Sequence, residues 1–454
     1  MASVSGMADS LAEGAASPPD PSDPREMLMR APMSRFQIIA IFVTLALCAL
    51  DGFDVLAITF AAPAILPEWG IDKAQLGYAL SAGLLGMALG SLLLSPLGDT
   101  LGRRRLVFVS LALMITGTLW TAFTQSLGAL IASRVYTGLG IGAMIGVLFP
   151  LAAEYANAQR RDLAISILAM GYPIGGLLGG LLSSALLATY GWRAIFFFAA
   201  AMGVVLALVA WRFLLDPLAL VVARPGNDGL ERANAYLKRC GLAPVAALPP
   251  PPVGGARVPI ARLFEREMAK DTVLITAIYF LYMIPLFFMQ TWLPTLVTDI
   301  GLPPARGALI SAFFSLGGIL ASLFIGATSL RIGIKRLQCG IFIGAALATA
   351  GFAFLPAILA QLILGAVVSG FFVLGATVGL YAVIARTFPA HLRASGTGFV
   401  IGIGRFGSIL PPIVAGMLFA SGLGRETISI MMAVPALVAM LLLLTFRVRP
   451  PTIA

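Results

Sequence analysis

The chain has 454 residues, 59% of them hydrophobic and only 11% charged, with a mean hydropathy of +0.97. Soluble domains carry about 25% charged residues, so a water-soluble globule is excluded and a polytopic membrane protein is indicated. The formal net charge of +10 is then read as a matter of topology, since basic loops orient spans, and no nucleic-acid partner is expected.

In chain order, residues 1–34 are polar, with Pro, Ser and mixed charge, and are expected to form a flexible tail. They lack a basic start followed by a short apolar core, so no cleaved signal peptide is expected. Twelve apolar runs follow, near 36–66, 75–97, 106–124, 128–153, 163–188, 193–214, 272–297, 307–330, 337–355, 357–384, 395–421 and 426–446. Each is long enough to cross a hydrocarbon core of ~30 Å at ~1.5 Å per residue. None alternates with a period of two, so helices are expected rather than the strands of a barrel. The 49 glycines suit helices that approach one another closely in lipid. This gives an all-α membrane protein with a six-helix half at 35–214, a central loop at 215–271, a second six-helix half at 272–446 and a tail at 447–454. The central loop contains "PPPP" (Pro249–Pro252) and a basic, helix-capable piece, "GLERANAYLKRC" (Gly229–Cys240).

An even number of spans brings both termini to one side. Of the 30 Lys and Arg residues, only Lys73, Arg193, Arg306 and Arg425 fall in loops on the other side. Arg134 and Arg405 lie inside spans, and the rest flank the spans on the terminal side. Positive charge marks the cytoplasmic face, so both termini are expected to be cytoplasmic. Cys48, Cys240 and Cys339 are scattered and form no disulfide or metal framework. His391, the single histidine, falls in a loop, so no metal site or cofactor is expected.

The chain also repeats itself. "GDTLGRRR" (Gly98–Arg105) follows the second span and "LRIGIKR" (Leu330–Arg336) the eighth. Gly102, Arg104 and Arg105 match Gly333, Lys335 and Arg336 at a shift of 231, and Arg161 matches Arg393 at a shift of 232. Parallel halves related by an axis along the membrane normal are a transporter architecture, with the substrate site between them near the midplane.

"GDTLGRRR" resembles the loop between the second and third spans of the major facilitator transporters, of the form G-x-x-x-D-R/K-x-G-R-R/K. The resemblance implies a role in conformational gating for Gly98, Asp99, Gly102, Arg103 and Arg104. Gly102 would turn the chain, while Asp99 and the arginines form a charge clasp that breaks as the halves rock. Thr100 replaces the usual basic residue. A narrower resemblance, to the aromatic acid:proton symporters, rests on four stretches. They are "DGFD" (Asp51–Asp54), "RVYTGLGIG" (Arg134–Gly142), "WLPTLVTDIGL" (Trp292–Leu302) and "GTGFVIGIGRFGSILPP" (Gly396–Pro412). The departures are Gly146 and Val147, where Pro-Asn is common, and "LLDPLALVVARP" (Leu214–Pro225), in place of Pro-Glu-Ser. The resemblance implies a monomer in a bacterial inner membrane.

Asp51 sits at the centre of the first span and Asp54 one turn on, on the same helix face. An acid inside a membrane costs roughly 2.5–3.5 kcal/mol on insertion scales and normally faces a cavity or a partner. Two unpaired carboxylates this close do not both stay ionised, which suits reversible proton coupling; static ion-pairing to Arg134 is the alternative. Arg134 lies about seven residues, ~10 Å, into the fourth span, level with Asp54. Arg405 lies about ten residues, ~15 Å, into the eleventh, near the midplane. Its planar two-donor fork suits a substrate carboxylate, and Gly402, Gly404 and Gly407 are expected to leave room beside it.

The seventh span offers Tyr279, Tyr282, Phe288, Gln290 and Trp292, and the tenth offers Tyr381, as company for a flat hydroxylated acid. The expected function is proton-coupled uptake of a small organic acid, an aromatic carboxylate above all, by alternating access. Two other readings stay open. A multidrug or metabolite exporter often has Gly-Pro and paired glycines in its fifth span, which "GYPIGGLLGG" (Gly171–Gly180) approaches; a receptor would bind the acid without moving it. No nucleophile–base or metal cluster points to an enzyme.

Overall fold

The computed structural model describes residues 23–223, 228–249, 260–265, 268–389 and 392–446. Most of the tail at 1–34, Pro250–Pro252 of the proline run, His391 and 447–454 lie outside the described residues. Among those described, the secondary structure is helical throughout. Eleven helices are long and apolar enough to cross a membrane: Arg35–Trp69, Lys73–Leu97, Arg103–Phe123, Leu127–Tyr155, Arg161–Thr189, Arg193–Phe213, Ala269–Thr298, Pro304–Ser329, Leu359–Thr387, Ser395–Ala420 and Arg425–Thr445. The remaining crossing is Ile334–Phe352, whose 19 residues open with Lys335 and Arg336. In chain order these are spans one to twelve, Ile334–Phe352 being span nine.

Local chemistry starts and stops them. Ser34 caps span one through the backbone of Gln37, whose side chain reaches back to the cap, and Gly70 ends it in the left-handed region at φ 61°. Asp72 and Gln75 form the same reciprocal box at the start of span two, satisfying amides that a helix start otherwise leaves open. In span eleven, Pro411 and Pro412 lack the amide hydrogens that the residues four before them would accept. The helix accordingly tightens to a 3₁₀ turn at Phe406–Ser408.

The sequence repeat has a structural counterpart. Gly102 and Gly333 both adopt positive φ, 99° and 86°, where the chain turns into spans three and nine. Arg104 Nη2 donates to the Trp211 carbonyl at the end of span six at 3.1 Å. In the second half, Lys335 Nζ donates to Leu444 and Phe446 at the end of span twelve at 2.9 and 2.7 Å. Each half thus places a cation on the carbonyl end of its last span, where the helix dipole favours it.

Twelve crossings bring both chain ends to one face, called here the terminal face; the other is the far face. Packing differs between them. The far-side residues of the first half, such as Phe60, Ile65 and Leu76, share one apolar cluster with the second half. The terminal-side residues, such as Leu47, Leu111 and Leu151, cluster instead with the central loop. The helix Gly229–Cys240 docks there: Tyr236 stacks on Tyr155 at 6.3 Å, and Phe36 meets both rings edge-on. Tyr155 Oη donates to the Leu215 carbonyl at 2.5 Å and accepts from its amide at 2.9 Å.

Glycines set the helix spacing. A methyl group on Gly142 of span four would collide with the Met87 carbonyl of span two, and one on Gly175 of span five with the Ala49 carbonyl of span one. Gly142→Leu should therefore lower the melting temperature of the purified protein, overpacking costing about 1–3 kcal/mol. Gly351→Leu, at a position with nothing within 4 Å, should leave it unchanged.

Candidate functional site

Four spans converge around the second aspartate. The Thr118 hydroxyl, from span three, lies 3.0 and 2.9 Å from the two Asp54 carboxylate oxygens. Arg134, from span four, places Nη1 3.5 Å from Asp54 Oδ1 and donates from Nη2 to the Asp54 backbone carbonyl at 2.9 Å. Gly83 of span two leaves its neighbouring space to that guanidinium. Arg134 is 1% exposed and Asp54 2%, so the pair is sealed from solvent.

Asp51 is equally buried and differently placed. Neither of its carboxylate oxygens has a hydrogen-bond partner among the described residues. Between the two acids, Gly52 lets the backbone of span one touch that of span five at Tyr172. A charge on Asp51 meets neither donor nor cation and so costs more than one on Asp54. The two aspartates share a helix face but not a chemistry.

Arg405 stands where span eleven leaves the α-helix. It is partly buried, and its Nη1 donates to Ser91 Oγ of span two at 3.1 Å, across the seam between the halves. Its carbonyl accepts the Ser408 hydroxyl at 2.6 Å. Tyr279 and Tyr381 stack beside it, with ring centroids 6.1 Å apart and hydroxyls 3.4 Å apart, and Tyr279 lies within electrostatic range of the Arg405 guanidinium. Tyr172 completes the group: its hydroxyl neighbours Gln290 and lies within electrostatic range of Arg405, Tyr381 and Cys48.

Only part of the glycine expectation holds. Gly402 has open space beside it, but Gly404 is filled by the Tyr279 ring and Gly407 by the Phe280 carbonyl. These two bring span seven close rather than making room for a ligand. Three aromatic candidates also point elsewhere. The Tyr282 hydroxyl donates to the Val373 carbonyl and its ring packs on Phe342 at 5.1 Å, within the second half. Phe288 is wholly buried in the apolar core. Trp292 packs on Phe419 at 4.9 Å, towards the far face.

The described contacts of the motif after span two go to span four, to the end of span six and to the start of the central loop. Arg103 Nη1 lies 2.5 Å from Glu154 Oε1 of span four. The Arg104 amide donates to Asp216 Oδ1 at 3.1 Å, and Gly102 leaves room for that carboxylate. Gly98 faces Val147 and Leu106. The side chain of Asp99 lies outside the described residues. Among the described residues, the acids met by this motif are Glu154 and Asp216; the expected clasp to Asp99 falls on a side chain outside them. A clasp that does cross the halves is on the far face: Lys73 Nζ meets Asp299 at 2.7 Å and sits 4.7 Å over the Phe419 ring.

Thr118, Tyr172, Ser91, Glu154 and Asp216 escaped sequence reasoning. Tyr172 alone had a visible signal, a hydroxyl in the glycine run of span five. The glycines of that run are occupied by packing. Gly171, Gly175 and Gly179 face Cys48, Ala49 and Phe53 of span one, while Gly176 and Gly180 face Ser315 and Ala308 of span eight.

The family profile described as Major Facilitator Superfamily matches residues 44–364 and 275–454. A 4-hydroxybenzoate transporter of Acinetobacter baylyi is 30% identical, over 92% of this chain and 92% of that protein. A gallate transporter of Pseudomonas putida is 28% identical, over 93% of this chain and 95% of its own. Among solved structures, the xylose transporter XylE from E. coli, titled a partially occluded inward open conformation, superposes with a TM-score of 0.69. It is 17% identical and the match covers 93% of this chain and 99% of that one, a likeness of fold alone.

Removing one partner of a buried pair leaves the other uncompensated, at about 3–5 kcal/mol. Arg134→Met should therefore unfold at a markedly lower temperature in detergent than the unsubstituted protein. Adding Asp54→Asn to it should recover most of the loss, as thermal unfolding of the single and double variants will show.

Proposed function

Because the chain belongs to the Major Facilitator Superfamily, we propose that it carries an aromatic carboxylate into the cell together with a proton, by alternating access, as a monomer in the bilayer. The observation that carries the reading is the inequality of the two aspartates. Asp54 is matched by Arg134 and Thr118, whereas Asp51 is buried with no hydrogen-bond partner among the described residues. A buried carboxylate without a donor is the group that gains most from taking up a proton, so Asp51 is assigned the coupling role and Asp54 a structural one.

The substrate reading draws on the relatives' names, both hydroxylated aromatic acids, and on the group around Arg405. Its fork would take the carboxylate bidentately, Tyr279 and Tyr381 would flank the ring, and Gln290 with Tyr172 would meet a ring hydroxyl. Arg405 now spends a donor on Ser91 in the opposite half. A carboxylate competing for that donor would couple binding to the seam. The exporter reading draws on the glycines of span five, which here serve as packing surfaces.

Sidedness follows from charge: the terminal face, rich in Lys and Arg, is assigned to the cytoplasm. The far face, closed by Lys73–Asp299, is then periplasmic. One proton with one monoanion is electroneutral and driven by about 1.36 kcal/mol per pH unit. A second proton would add about 2.3 kcal/mol per 100 mV of membrane potential.

Uptake of radiolabelled 4-hydroxybenzoate into proteoliposomes, with and without an imposed pH gradient, tests the proposal. The gradient should drive accumulation in the unsubstituted protein. Asp51→Asn should abolish gradient-driven accumulation while retaining exchange of internal for external substrate at equal pH. If that variant accumulates normally, the coupling assignment is wrong. For Arg405→Lys, the preference for the acid over its uncharged amide should fall roughly tenfold, since a hydrogen bond to a charged group contributes about 1.5–3 kcal/mol.

A further inference from the structure

One cavity is unused by the transport reading. It lies at the terminal face, holds about 300 Å³, and is lined by Phe36, Ile39, Arg212, Phe213 and Arg239. Its walls come from the start of span one, the end of span six and the last turn of the central-loop helix Gly229–Cys240. Burial of Tyr236 and Leu237 holds that helix against the first half, so the cavity is built by tertiary packing.

The chemistry of its rim is one-sided. Arg239 Nη1 reaches the Arg212 carbonyl at 3.5 Å, which keeps the two residues side by side. The Arg212 guanidinium lies 5.4 Å over the Phe213 ring, and that of Arg239 lies 5.7 Å over Phe36. Among the described residues, no carboxylate pairs with either arginine. A helix C-terminus explains a cation at the end of each helix. It does not explain why two cations converge on one cavity, where their mutual repulsion goes uncompensated.

We propose that this cavity binds the phosphodiester headgroup of an anionic phospholipid. Two guanidinium forks match phosphate oxygens in geometry and charge, and basic pockets beside span ends are suited to such headgroups. The apolar wall distinguishes a lipid from a free anion. Ile39 lines the cavity, and Phe42, one turn deeper on the same helix face, is 58% exposed. On span six, Leu208 lies one turn before Arg212 and is 64% exposed. Acyl chains descending from a bound headgroup would run along these side chains, whereas free phosphate would leave them unused. The site is separate from Asp51 and Arg405, and the inference does not depend on which substrate is carried.

The test is a titration of the full-length protein in neutral detergent with phosphatidylglycerol, phosphatidylcholine or inorganic phosphate, followed by native mass spectrometry and thermal unfolding. Phosphatidylglycerol should bind and raise the melting temperature more than phosphatidylcholine. At about 1 kcal/mol per surface arginine, Arg212→Gln and Arg239→Gln should each weaken phosphatidylglycerol binding about fivefold, and together about twenty-five-fold. Lys270→Gln, an exposed cation elsewhere on the same face, should bind as the unsubstituted protein does. Equal binding of the two lipids, or an equal loss with Lys270→Gln, would overturn the site in favour of diffuse positive charge. If inorganic phosphate displaces the lipid at equal concentration, the occupant is a free anion and the lipid assignment fails. Should the double variant not fold, the single Arg239→Gln, on the exposed rim, decides the matter.

Discussion

Burying a charge in hydrocarbon removes the water that would otherwise solvate it, and the protein has to supply the replacement from neighbouring helices. The Asp54–Arg134–Thr118 group does this with three spans at once: a cation, a hydroxyl and a backbone carbonyl meet at one point. None of the three spans can rotate without exposing an uncompensated charge to the others. The first half is therefore fixed about its own interior, and Asp51, one turn away, finds no hydrogen-bond partner among the described residues. A paired acid and an unbonded one thus stand one turn apart on the same helix.

The second constraint is distance. Lipid supplies little hydrophobic drive between helices, so association relies on close packing of small residues. In span five this works on two faces at once, Gly175 towards span one in the same half and Gly176 and Gly180 towards span eight in the other. The far-side seam between the halves is likewise lined by backbone contacts. Gly77 meets the Pro412 carbonyl, Gly416 the Lys73 carbonyl, and Ser81 donates to Ile409 at 2.8 Å. A seam built of small residues can slide or part without tearing a jigsaw of large side chains.

Hydropathy made the twelve crossings legible, and Gly229–Cys240 stood out as helical by composition alone. Depth along a span also placed Asp54 level with Arg134, and the two lie 3.5 Å apart. What depth cannot carry is rotation about the helix axis. Tyr279 and Tyr282 are three residues apart in one aromatic run, yet the first meets Tyr381 and the second Val373. Thr118 and Ser91 gave no signal, because a hydroxyl in an apolar run looks the same whether it bonds its own helix or a distant acid. Two further acids beside Arg103 and Arg104 were invisible for the same reason. Glu154 and Asp216 are distant in sequence and near in space.

The Lys73–Asp299 bridge differs in kind from the buried pair. Its side chains keep 28% and 26% of their exposure, so water and salt reach them. Exposed pairs of this sort contribute about 0–1 kcal/mol, and at physiological ionic strength a Debye length of about 8 Å screens them further. A bridge this weak adds little to the cohesion of the two halves and is easily broken. Exposure also places the far-face bridge under the control of the surrounding medium: dilute surroundings would strengthen it and saline ones weaken it, while the buried pair at Asp54 would be indifferent to both.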